Sequence, residues 1–122
     1  MIERLDHFPH NVLAFVCRGL VSRADHDSVL VPAAMKAPES QEEVRLYYET
    51  AADFAGFEVG AVWEDFKVGM VRLPRWERIA VVTDIEWIKH PVRLFSFLIP
   101  GAVRLFPLPE AAKAREWIAA AS

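Results

Sequence analysis

Short apolar runs alternate along this chain with stretches of helical spacing, and their order predicts the fold class. Ile2 to Leu5 reads as a first strand, and His7-Phe8-Pro9-His10-Asn11 as a turn, because proline and asparagine favour chain reversal. Val12 to Arg18 follows as a second strand, and two strands joined by a short polar turn make an antiparallel hairpin. Gly19 closes it. A helix is expected from Ser22, a capping residue with Asp25 three positions on, to about Lys36, with Pro32 kinking or shortening it. Val44 to Glu49 is the third strand. After the loop from Thr50 to Gly56, Val59, Trp63, Phe66 and Met70 recur at i, i+4, i+7 and i+11, so Phe57 to Leu73 reads as a helix that Pro74 ends.

The clearest passage is Glu77-Arg78-Ile79-Ala80-Val81-Val82-Thr83-Asp84, an apolar run that stops at an aspartate and gives way to Ile85-Glu86-Trp87-Ile88. That is a buried strand, Arg78 to Thr83, handing over to a helix. Pro91 either kinks this helix or opens a second one, and Pro100-Gly101 stops it. A last strand, Val103 to Phe106, precedes a closing helix that starts near Pro109 and is rich in alanine. Two strands followed by alternating helix and strand demand a mixed sheet with parallel neighbours and helical cover. The expectation is one α/β domain over residues 1–122, since 122 residues suit a single core.

Composition narrows the class further. Apolar residues make up 53% of the chain and charged residues 25%, a globular rather than a disordered balance. The first residues are acidic and carry no long apolar run, which predicts neither a secretory nor a transit leader and a cytoplasmic setting. Leu94-Phe95-Ser96-Phe97-Leu98-Ile99 is far short of the ~20 apolar residues a spanning helix needs, so no transmembrane segment is expected. Cys17, the one cysteine, lies in an apolar run and reads as buried and inert. Residues 1–61 hold 5 basic and 10 acidic side chains and residues 62–122 hold 9 and 7, so any anion should dock on the second half. A net charge of −3 argues against nucleic acid as a partner.

No catalytic constellation can be assembled from the motifs. Asp25-His26-Asp27 cannot converge on one metal ion, because neighbouring helical residues point in different directions. No glycine-rich loop follows a strand, and Ser22 and Ser28 lack a nearby base, so neither a cofactor nor an enzymatic activity is expected. Ligands of parallel sheets bind beyond the carboxyl ends of the strands, which selects the loops at Thr50 to Asp53, Thr83 to Asp84 and Phe106 to Leu108. Asp84 stands where a helix cap belongs, and capping is the reading taken for it.

Asp53-Phe54-x-Gly56-Phe57, Trp63-Glu64-Asp65-x-Lys67, Trp76 to Asp84 with Trp87, and Pro100-Gly101-x-x-Arg104-x-Phe106 together resemble the SpoIIAA-like domains of bacteria, relatives of the STAS domains, over nearly the whole chain. The resemblance implies a mixed, largely parallel sheet of four to five strands covered by about four helices, and no enzyme. STAS antagonists carry a phosphorylatable serine at the start of the helix after the third strand, beside an aspartate and close to a glycine. Residues 50–57 keep Asp53 and Gly56 but have no serine, which leaves Thr50 as the only hydroxyl for such a switch. The leading expectation is a non-enzymatic protein-interaction or regulatory module with a protein partner or a second copy of itself. The alternative is a carrier or sensor of a small apolar or lipid-like anion, held between the helix from Phe57 and the helix after Asp84, with Lys67 or Arg78 at the head group. Asp53, Phe57, Trp63, Lys67, Arg78, Asp84 and Trp87 are the residues on which ligand or partner contact is placed.

Overall fold

The structure, a computed structural model, describes residues 1–9, 11–22, 24, 44–57, 76–95 and 102–120. Seven strands lie among them: β1 (Ile2–Arg4), β2 (Val12–Cys17), β3 (Leu20–Val21), β4 (Val44–Thr50), β5 (Gly56–Phe57), β6 (Trp76–Val82) and β7 (Ala102–Phe106). Helix α1 (Glu86–Phe95) follows β6, and a 3-10 turn (Leu108–Glu110) leads from β7 into helix α2 (Ala111–Ala119). The main sheet runs β1-β2-β4-β6-β7, with β1 antiparallel to β2 and every other neighbour parallel.

The mixed sheet, its hairpin and its parallel core agree with the sequence pattern. Two α-helices are present among the described residues rather than about four. The helix expected from Ser22 and most of the one expected from Phe57 fall outside the described residues. Phe57 itself is strand: Leu20-Val21 and Gly56-Phe57 form a separate two-stranded parallel sheet that the apolar pattern did not announce. Pairs of two residues carry no periodicity of their own. Helix α1 runs through Pro91, so of the two expectations for that proline the opening of a second helix is not met.

Strands β2 and β4 are buried on both faces, as interior strands of a parallel sheet must be. Alternation then divides the core in two. Leu13, Phe15, Leu46, Tyr48, Ile79 and Val81 point to one face and pack with Ile88 and Val92 of α1. Val12, Ala14, Tyr47, Ala80, Val82 and Phe106 point to the other and pack with Ala114 and Ile118 of α2. Cys17 is fully buried, as its surroundings in the sequence suggest.

One charged side chain breaks the apolar pattern of the α2 face. Arg45 is only 6% exposed, and its guanidinium reaches both the sheet and the helix end. Its Nε donates to Glu77 at 2.9 Å, a second nitrogen donates to the same carboxylate oxygen, and the third donates to the carbonyls of Ile118 (2.9 Å) and Ala120. Glu77 is in place because β6 bulges there: Val44 pairs with Trp76 and Arg45 with Arg78, so Glu77 is the extra residue. Arg78 adds donors to the carbonyls of Trp117 (2.7 Å) and Ala120 (3.3 Å). The Trp117 carbonyl also accepts the Ala120 N–H at 3.4 Å, and the carbonyls at the negative end of α2 are otherwise held by the two cations.

Replacing Arg45 by alanine should therefore lower stability to denaturant by roughly 3 kcal/mol, the scale for removing one partner of a buried pair. Arg45→Lys should recover only part of this, because an ammonium cannot span a carboxylate and two carbonyls at once. An unfolding midpoint unchanged in Arg45→Ala would refute this role.

The two tyrosines should titrate late. Burial, reinforced by the hydrogen bond to Glu49, pushes the Tyr47 phenol up to about 12. Burial also raises Tyr48 well above the ordinary value, with the neighbouring Cys17 adding to the shift. A pKa raised by folding means that the contribution of the neutral phenol to stability is complete below about pH 10, the unfolded value, and is lost as pH climbs through the folded one. Tyrosinate absorbance of the native protein should stay flat past pH 10 and rise only with unfolding or near pH 12, whereas denatured chain should titrate near 10.

Candidate functional site

The carboxyl ends of β2, β4, β6 and β7 and the loops that leave them form the edge where a parallel sheet places its ligands. Local chemistry closes much of this edge. Gly19 takes a left-handed conformation (φ 56°), which a side chain would disfavour, and in it accepts the Ala55 N–H at 2.8 Å while donating to the Asp53 carbonyl at 3.2 Å. The Ala51 N–H reaches the Cys17 carbonyl at 2.9 Å, and the Thr83 N–H reaches that of Phe106 at 2.9 Å. Adjacent loops are thus tied to one another by backbone bonds.

Two threonines complete the seal. Thr50 and Thr83 are 1% and 0% exposed at the ends of neighbouring strands, and the Thr50 hydroxyl donates to Thr83 Oγ1 at 2.7 Å. Thr83 Oγ1 also accepts the Ile85 N–H at 3.1 Å, so it is Thr83 that satisfies a free donor at the start of α1. Asp84, expected to cap that helix, points elsewhere. Its carboxylate accepts the Leu108 N–H at 3.0 Å, at the entrance to the 3-10 turn and α2. It is a cap, but of the chain leaving β7.

The remaining expected site residues separate. Asp53 is exposed in the loop after β4, and only its main chain is seen bonded to β2's loop. Trp87, on the first turn of α1, is 55% exposed, and its ring lies against that of Phe54 with centroids 6.5 Å apart and planes at 33°. Phe57 belongs to β5, and Trp63 and Lys67 lie outside the described residues. Arg78 is on the α2 face, with its guanidinium 5.4 Å from the centre of the Trp117 ring. Helix α1 covers the opposite face, and most of the helix expected on the other side of the proposed cleft lies outside the described residues.

What the edge offers is surface. Its two hydroxyls are buried and bonded, while Phe54 and Trp87 form an aromatic step flanked by Asp53 and Glu86. Leu20, 61% exposed, pairs with Gly56 just beyond the same loop. Phe54 and Leu20 were not singled out from sequence. Phe54 was visible only as one aromatic of a motif, and Leu20 gave no signal. Among the described residues no group of three or more His, Cys, Asp and Glu side chains could hold a metal ion, and no helix is long and apolar enough to cross a membrane.

Thr83→Val should cost about 2 kcal/mol in equilibrium unfolding, since it leaves the buried Thr50 hydroxyl and the Ile85 N–H without their acceptor. The double variant with Thr50→Val should lose less than the two single losses combined. Strict additivity would mean that the hydroxyls do not act as a pair.

Comparison with known proteins bears on the fold. No functionally curated protein matches the sequence. The chain is similar to the crystal structure of an uncharacterized protein of the DUF3478 family with a SpoIIAA-like fold, from Shewanella loihica PV-4. The TM-score is 0.69 at 19% identity, over 96% of this chain and 93% of the other. The SpoIIAA-like family model matches residues 12–119, from the start of β2 to the last turn of α2, and the chain therefore belongs to the SpoIIAA-like family.

Proposed function

We propose that this protein is a non-enzymatic interaction or regulatory module of the bacterial cytoplasm, which docks a protein partner or a second copy of itself on the aromatic step at the carboxyl edge. The observation that carries the reading is Trp87. An indole 55% exposed on the first turn of α1, beside Phe54, leaves a large apolar area in water at this edge. Tryptophan is also the side chain most enriched among residues that dominate binding energies. The bonded state of Thr50 and Thr83 supports recognition rather than chemistry at this edge.

In the carrier reading Lys67 or Arg78 meets the head group, and Arg78 already serves the end of α2. That leaves Lys67 for the head group. The aromatic step needs no such group.

Trp87→Glu should abolish capture of partner in cross-linking and pull-down from the native host, or dissociate a homodimer in light scattering. The same change should leave the native fold in place by circular dichroism, since more than half of the indole already lies in water. Wild-type protein that stays an uncaptured monomer, or a Trp87→Glu variant that binds as well as wild type, would defeat the proposal.

A further inference from the structure

A second surface, unrelated to the aromatic step, lies at the far side of the sheet. Among the described residues, strand β7 is an end strand of the main sheet, with β6 as its one neighbour there. The Phe106 carbonyl accepts the Thr83 N–H, so Phe106 turns its main-chain groups toward β6. By alternation Arg104 and Ala102 do the same, and the N–H and C=O of Val103 and Leu105 face outward. Four main-chain groups, spaced as in a ladder, are thus presented at an open edge.

The side chains around that edge specify what would fit. Val103 and Leu105 are half-buried on the α1 face and extend its apolar core to the rim. Arg104 is exposed on the α2 face, its guanidinium 5.3 Å from the Trp117 ring centre and 4.9 Å from that of Phe106. Both distances are within cation–π range, and among the described residues no carboxylate pairs with this guanidinium. Self-pairing of β7 about a two-fold axis at Arg104 would set two guanidiniums directly opposite each other, which is unfavourable. A strand with an acidic residue at that position reverses the sign of the interaction.

We propose that the β7 edge binds an extended segment of a partner protein by strand addition, with a carboxylate of the segment meeting Arg104 and apolar residues on either side of it continuing the row of Val103 and Leu105. Backbone bonds to Val103 and Leu105 supply the register, and Arg104 supplies the choice of sequence.

The test uses two capped five-residue peptides in which valines flank a central residue, glutamate in one and lysine in the other, titrated to millimolar concentration into isotopically labelled protein. The glutamate peptide should shift the amides of Val103, Arg104 and Leu105 and slow hydrogen exchange at Val103 and Leu105, and the lysine peptide should not. Arg104→Glu, an exposed change that leaves the fold in place, should exchange the two preferences. Val103→Pro, which removes an outward N–H and no bond to β6, should weaken the response to both peptides. No shift at β7, equal shifts from both peptides, or an unaltered preference in Arg104→Glu would overturn the proposal. So would shifts of the same amides on concentrating the protein alone, which would assign the edge to a second copy of the chain.

Discussion

The arginine at position 45 is the constraint on which the α2 side of this molecule depends. A guanidinium is costly to bury, and it is tolerated at the centre of the sheet only because each of its nitrogens meets an acceptor. That requirement propagates. Glu77 must sit beside it, which the β6 bulge arranges, and α2 must end where its carbonyls meet the charge. The helix has no glycine after its last turn; the chain continues Ala119-Ala120-Ala121, without the residue that commonly closes a helix in a left-handed turn. Two arginines from neighbouring strands take over that task. Their like charges stand opposite each other in the ladder, and Glu77 together with the helix carbonyls offsets the repulsion. Ahead of the helix, Asp84 just beyond β6 holds the Leu108 N–H at the start of the 3-10 turn that leads into α2.

The carboxyl edge follows a different logic. In many parallel α/β proteins this edge keeps polar groups free for a ligand, whereas here loop-to-loop bonds and the Thr50–Thr83 pair consume them. Membership in the SpoIIAA-like family explains the architecture, but a shared fold does not convey an activity. Function has to be argued from what the fold leaves unsatisfied. Among the described residues of this edge, that is apolar area on Leu20, Phe54 and Trp87, with the exposed Asp53 beside it.

Much of the fold was legible because strands buried on both faces are written as uninterrupted apolar runs. Val12 to Cys17 and Ile79 to Val82 could hardly be anything else, and the aspartate after Thr83 marked the handover to α1. What escaped depended on distant partners. Arg45 meets the carbonyl of Ile118, 73 residues away, so nothing near it in sequence shows that its charge is buried and compensated. Asp84 was read as a cap for the helix that follows it, while its partner Leu108 lies 24 residues on. Arg78 illustrates a subtler loss. Its alternation with Ile79 already put it on the opposite face from that residue, but which helix covers which face is a property of chain crossover and not of any local pattern. Of the candidate site, Trp87 and the edge itself were readable from sequence. The contact of Phe54 with Trp87 was not, because it joins the loop after β4 to the first turn of α1.

Among the described residues, three arginines borne by strands on the α2 face form a graded series that links stability to recognition. Arg45 on β4 is buried and fully engaged, Arg78 on β6 is half-buried and divides its contacts between carbonyls and the Trp117 ring, and Arg104 on β7 is exposed and lies against aromatic rings alone. The same residue type changes its role with distance from the centre of the sheet. Near the centre, desolvation forces each donor to find a fixed acceptor, and such a cation has nothing left to offer a ligand. At the rim water relaxes that demand, and a guanidinium steadied by indole and phenyl faces keeps its hydrogen-bonding perimeter available. Position in the sheet, rather than residue identity, therefore separates the arginines that hold this fold together from the one that can recognise something outside it.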